Sequence, residues 1–153
     1  MTDDTRIPRP ALLLGLAGLL PFLWSAATHM SPALASAAGQ FLSPMFLGAY
    51  VGLTYGTVIL SFMSGVLWGF ATKTEGREAG VAYTLSVIPA LWAFFMVTDA
   101  SETSRIFLAA GFVGLLLLDG TFQVWGLAPR WWLRLRVMLT VVVLACLAIP
   151  LGA

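Results

Sequence analysis

Residues 56–69 read GTVILSFMSGVLWG. Thr57, Ser61, Gly65 and Gly69 recur every four residues, while nearly everything between them is bulky and apolar. At 3.6 residues per turn, this spacing gathers the smallest side chains on one face of a helix. The pattern suits a hydrocarbon solvent. There, apolar side chains gain little by leaving the lipid tails, and helices associate through close backbone approach and polar contacts.

Composition agrees. The chain has 153 residues, of which 59% are hydrophobic and 10% charged. A soluble domain carries about 25% charged residues; at 10% a water-facing surface could not be covered, which defines an integral membrane protein. The net charge of +1 offers no basic excess to attract nucleic acid. The single cysteine, Cys146, lies inside an apolar run, cannot form an internal disulfide, and reads as a small core residue.

Crossing a hydrocarbon core takes about 20 mostly apolar helical residues. Five stretches qualify, at about 10–27, 47–71, 80–98, 106–126 and 135–151. All are expected to be helices, since an open sheet edge cannot be satisfied in lipid. The expected fold is therefore all-α, a single domain over residues 1–153 made of five transmembrane helices. Between the first two spans, residues 28–46 lack charge but contain Pro32, Gly39 and Pro44, and suggest a loop with a short interfacial helix around 33–42. Ser101 or Thr103 can cap the fourth span. Pro21 and Pro89 fall inside spans and should kink them.

Orientation follows from the basic residues. Arg6, Arg9, Lys73, Arg77, Arg130, Arg134 and Arg136 fall on one side of a five-span topology and only Arg105 on the other. The positive-inside rule then places the N-terminus in the cytoplasm and the C-terminus outside. A secretory signal with a cleavage site at Ala33-Leu34-Ala35 is the rival reading of the N-terminal region. Its apolar core is long for a signal and contains Pro21, so a retained span is expected.

A second small-residue row, Gly48, Gly52 and Gly56, is displaced around the same helix, so the second span should be central and packed on two sides. These rows either seat the helix in its own bundle or offer a face to another membrane protein or to a second copy of the chain. Asp119, in LLLLDGTFQ, is the outlier: a carboxylate at that depth costs about 2.5–3.5 kcal/mol on insertion scales. It must face the bundle interior, find a partner, or stay protonated. Gln123 shares its face one turn on, and Arg130 and Arg134 lie beyond the helix end, within reach if the chain turns back. Asp119 thus reads either as a hydrogen-bonding anchor between helices or as a protonatable site.

In WGLAPRWWLRLR (125–136), Trp125, Trp131 and Trp132 suit the headgroup level, and Arg130, Arg134 and Arg136 suit an anionic inner leaflet. All six read as interface anchors. The lone His29 reads as an interfacial hydrogen-bonding group. No catalytic set, metal-ligand cluster, cofactor motif or phosphate-binding glycine loop is recognisable.

Several phrases in order carry a family resemblance: PALLLGLAGLLPF (10–22), YGTVILSFMSGVLWGF (55–70), YTLSVIPALWAF (83–94), LLLLD (115–119) and APRWWLRLRVMLT (128–140). Together they resemble the bacterial membrane family known as domain of unknown function 3429, which is similar to the mitochondrial transmembrane protein 69 of animals. The resemblance implies a multi-helix inner-membrane protein and brings no catalytic residues. Where that family often has a polar or basic residue before the tryptophan matching Trp68, this chain has Leu67, so no charged second-span site carries over.

The expected function is that of a non-enzymatic accessory subunit or assembly factor packed against a larger inner-membrane complex, respiratory or photosynthetic, with the lipid bilayer as its other partner. A small permease or proton-coupled carrier using Asp119 is the alternative. The partner's identity and the oligomeric state are not encoded in any motif.

Overall fold

The structure, a computed structural model, describes residues 5–150. Among them there is no strand. Helices α1 (Arg9–Ala17) and α2 (Leu20–Met30) are followed by the short α3 (Pro32–Ala38), and then by α4 (Gly48–Ala71), α5 (Gly76–Met96), α6 (Glu102–Val124) and α7 (Trp132–Leu147).

The first span is α1 and α2 taken together, Arg9–Met30, broken at Gly18 and Leu19. Pro21 is the cause: it has no N–H for the preceding turn, and its ring crowds the carbonyl there. The chain tightens locally, with the Leu19 amide bonding Leu16 and the Phe22 amide bonding Leu19, each three residues apart. Pro89 is absorbed differently. The Ser64 hydroxyl of α4 donates to the Ser86 carbonyl three residues before the proline, and the Ser86 hydroxyl donates to the Tyr83 carbonyl at 2.7 Å. An irregularity in α5 thereby becomes a polar tie to α4.

Among the described residues, four helices are long and apolar enough to cross a membrane: Arg9–Met30, Gly48–Ala71, Gly76–Met96 and Glu102–Val124. They match the first four expected spans within a few residues. The fifth differs. Helix α7 starts at Trp132, earlier than expected, and its 16 residues rise only about 24 Å. The expected end of that span, at 151, lies outside the described residues. The ends of α7 nevertheless meet opposite ends of the bundle. Near its start, the Leu127 carbonyl accepts from Lys73 Nζ at 2.6 Å. Near its finish, Leu147 O accepts from Arg105, and Pro150 O lies 3.0 Å from His29 Nε2.

Helix α4 is central and packs against α2, α5 and α6. Close approach depends on two of its glycines. A Cβ on Gly52 would collide with the Ser25 side chain of α2, and one on Gly56 would come within 2.6 Å of Leu108 of α6. Gly111 of α6 returns the arrangement, since a Cβ there would sit 2.8 Å from both Leu60 and Trp92. The core between these helices holds Phe22, Leu60, Leu67, Phe112 and Leu115, all fully buried. Outside, Leu14, Phe62, Phe94, Leu117 and Val124 stand exposed, as a surface bathed in hydrocarbon permits.

At the α5–α6 turn, Asp99 Oδ1 accepts from the Ser101 amide at 3.2 Å and from the Ser101 and Ser104 hydroxyls. Ser101 also caps α6, its Oγ accepting from the Ser104 amide at 3.2 Å. The Ser101 hydroxyl, and after it that of Ser104, hold the Asp99 carboxyl below its ordinary value of 3.8.

Gly111→Ala should destabilise the bundle by about 1–3 kcal/mol, because neither buried Leu60 nor Trp92, held by its bond to the Phe107 carbonyl, can yield freely. Gly114→Ala, which meets nothing within 4 Å, should not destabilise the bundle in micelles and should gain at most about 1 kcal/mol of helix propensity. Because the folded Asp99 value is depressed, its contribution is complete above 3.8 and lost as pH falls through the lower folded value. Hydrogen exchange at the Ser101 and Ser104 amides should therefore accelerate in that acid window and be insensitive to pH-linked opening above it.

Candidate functional site

Asp119 and Gln123 lie one turn apart on α6, and both grip the first turns of α7. Gln123 Oε1 accepts from the Leu133 amide at 3.0 Å, satisfying one of the donors that the start of a helix leaves open. Asp119 takes two side chains. Its Oδ1 accepts from Trp132 Nε1 at 2.7 Å, and its Oδ2 accepts from Arg136 Nε at 2.8 Å. Trp132 and Arg136 are four residues apart, hence on one face of α7.

The pair is buried: Asp119 is 0% exposed and Arg136 5%. Burying two ions carries a large desolvation penalty, which their attraction offsets only with good geometry and further hydrogen bonds. The carboxylate meets that condition through the indole. The guanidinium does not meet it completely. Among the described residues, Arg136 Nη2 has no hydrogen-bond partner, and neither has the hydroxyl of Thr140, one turn further along α7 and 1% exposed. An unpaired buried polar group costs about 1–3 kcal/mol.

Arg136 and Thr140 also line an apolar cavity of about 560 Å³, bounded by α1, α2, α4, α6 and α7 and open on one side. Phe22, Tyr55, Met63, Phe112 and Trp132 contribute to its walls, and Asp119 is not among its lining residues.

The structure separates the residues that sequence pattern had grouped. Arg130 and Arg134 are exposed and do not reach Asp119. Arg136 is instead buried and paired with Asp119: α7 begins early enough to carry it into the second turn, facing α6. Trp132 likewise turns its N–H inward and packs edge-to-face with Phe70 and Trp131, whereas Trp125 stays exposed. The small-residue rows divide too. Gly52 and Gly56 seat α4 in its own bundle, whereas a Cβ on Gly65 or Gly69 would meet nothing within 4 Å. Thr57 and Ser61, in the same row, bond the carbonyls of Leu53 and Thr57 on their own helix at 2.9 Å. Gly48 is needed for its positive φ of 54° where the chain enters α4. Thr140 was missed. Its only signal was position, four residues after Arg136 and eight after Trp132.

Long apolar helices, a lipid-compatible surface and a charge pair sealed between two of the helices define an integral membrane helical bundle. The chain belongs to the family described as Protein of unknown function (DUF3429), whose family model matches residues 7–152. It is similar to Transmembrane protein 69 of Xenopus tropicalis, 33% identical over 139 residues, and to Transmembrane protein 69 of Mus musculus, 27% identical over 139 residues. These alignments cover 88% of this chain and 51% and 52% of the two relatives, so the chain spans about half the length of the curated relatives it matches. No solved structure matches it significantly.

Breaking one side of the pair should be worse than removing both. Asp119→Leu or Arg136→Met alone strands a buried charge and should lower stability by about 3–5 kcal/mol, whereas the double variant should recover much of that loss. Unfolding of the four proteins in mixed micelles measures the coupling. Purely additive losses would show that the two side chains do not act as a pair.

Proposed function

We propose that this is a non-enzymatic, multi-pass protein of the bacterial inner membrane that serves as an accessory subunit or assembly factor, seated against a larger respiratory or photosynthetic complex. The observation that carries this reading is the open face of α4. Ser61, Gly65 and Gly69 lie exposed in one row; among the described residues nothing stands against a Cβ on either glycine, and the Ser61 hydroxyl bonds its own helix. Such a surface lets the backbone of another helix approach closely. The carrier reading asks for a carboxylate with access to water or to a cavity. The double engagement and complete burial of Asp119 favour an anchoring role instead.

In this proposal α7 is a fifth span and the N-terminus is cytoplasmic. The turn before α7 bonds Lys73 at one end of the bundle, and Leu147 at the finish of α7 bonds Arg105 at the other, which supports the crossing. The distribution of arginines supports the orientation, with Arg6, Arg9, Arg130 and Arg134 at the same end.

Gly65→Leu and Gly69→Leu should shift the protein from a larger species to monomer on native gels of gently solubilised membranes. Neither should destabilise the purified chain, since both positions are exposed and leucine is the better helix former. Recovery of monomer alone from unmodified membranes would refute the accessory role. For orientation, Arg130→Cys in a Cys146→Ser background should resist an impermeant thiol reagent applied to the outer face of spheroplasts and react once they are opened.

A further inference from the structure

The two unpaired groups and the cavity beside them belong to one arrangement that the accessory reading does not use. The cavity is apolar along its length, yet Arg136 and Thr140 stand side by side in its wall, each with a buried polar atom that no described residue satisfies. Native proteins rarely leave such groups open, and each calls for an explanation. About 560 Å³ falls within the range of small-molecule sites, roughly 300–1,000 Å³. Its mouth faces the hydrocarbon: Leu14 and Phe62 both line the cavity, and they are 74% and 64% exposed. Helix α1, which forms that side, has no buried residue.

We propose that the cavity binds one bilayer-soluble molecule with an apolar body and a neutral carbonyl oxygen at one end. Both polar atoms are closed to a molecule the size of water in this structure, so binding turns the two side chains toward the cavity, where the carbonyl accepts from Arg136 Nη2 and from the Thr140 hydroxyl. The preference for a neutral head follows from charge balance. Asp119 already neutralises the guanidinium, so an anionic head would add an unmatched charge in a low-dielectric site, whereas a carbonyl takes the free donors at no such penalty. The apolar walls accept the rest of the molecule, which arrives laterally from the membrane. An ester carbonyl of a diacyl lipid and a ring carbonyl of an isoprenoid-type quinone share this chemistry.

The whole chain, purified in an alkyl glycoside detergent that has no carbonyl of its own, tests the proposal. Quenching of tryptophan emission would be titrated with three probes: a dibrominated phosphatidylcholine, a short-chain benzoquinone, and a dibrominated alkane of matched length. Trp131 and Trp132 line the cavity and report occupancy. One carbonyl probe should saturate at one molecule per chain, at least tenfold tighter than the alkane. Which of the two does so distinguishes the lipid from the quinone source. Thr140→Val, which leaves the Asp119 pair intact, should weaken that probe about tenfold without changing the alkane. Arg136→Lys should weaken it similarly, and if that variant fails to fold, Thr140→Val decides alone. Equal affinity for carbonyl and alkane, no saturable binding by either carbonyl probe, or unchanged affinity in Thr140→Val would each overturn the proposal.

Discussion

Everything in this molecule is arranged around one problem: a carboxylate and a guanidinium that must coexist where water cannot reach them. In hydrocarbon, Asp119 cannot be shielded by solvent, so the chain shields it with its own groups. Arg136 supplies the countercharge and Trp132 a second hydrogen bond, while Gln123 fixes the backbone of the helix that carries both. These contacts set the register of α7 against α6. They also determine where the rest of α7 faces, including Thr140 and the cavity wall.

The same absence of a hydrophobic driving force explains how α4 is used. Helices in lipid are held by close contact and by polar ties. Gly52, Gly56 and Gly111 allow the contact, and the Ser64–Ser86 bond supplies a tie at the turn that Pro89 disturbs. The face bearing Gly65 and Gly69 has the same composition but no neighbour among the described residues. One helix therefore carries two sets of small residues with different fates, one consumed in building the bundle and one left at its surface.

Much of this was legible from residue order. Long apolar runs marked the first four spans, since lipid permits little else; Pro21 marked the break in the first, and Ser101 the start of α6. What escaped was relational. Periodicity shows which residues share a face, but it does not show what stands opposite that face, so the two glycine rows of α4 looked equivalent. Arg136 was grouped with Arg130 and Arg134 because composition alone makes 125–136 look like one interfacial patch. The difference turns on where α7 begins. A helix starting near 135 leaves Arg136 at the headgroups; one starting at Trp132 carries it a turn deeper and aligns it with Trp132. The cavity was invisible because its walls come from segments far apart in the chain, and an unpaired donor is a property of the assembled site.

The buried pair also has a bearing on biogenesis. Asp119 and Arg136 are 17 residues apart, so at about 5–20 residues per second the carboxylate leaves the ribosome roughly one to three seconds before its counterion. During that interval α6 holds an uncompensated charge that opposes its partition into lipid. Helix α6 is thus best committed to the bilayer together with α7, as a hairpin released from the translocon in one step. A chain truncated between them during synthesis would leave α6 lingering at the insertion machinery, open to quality-control proteases.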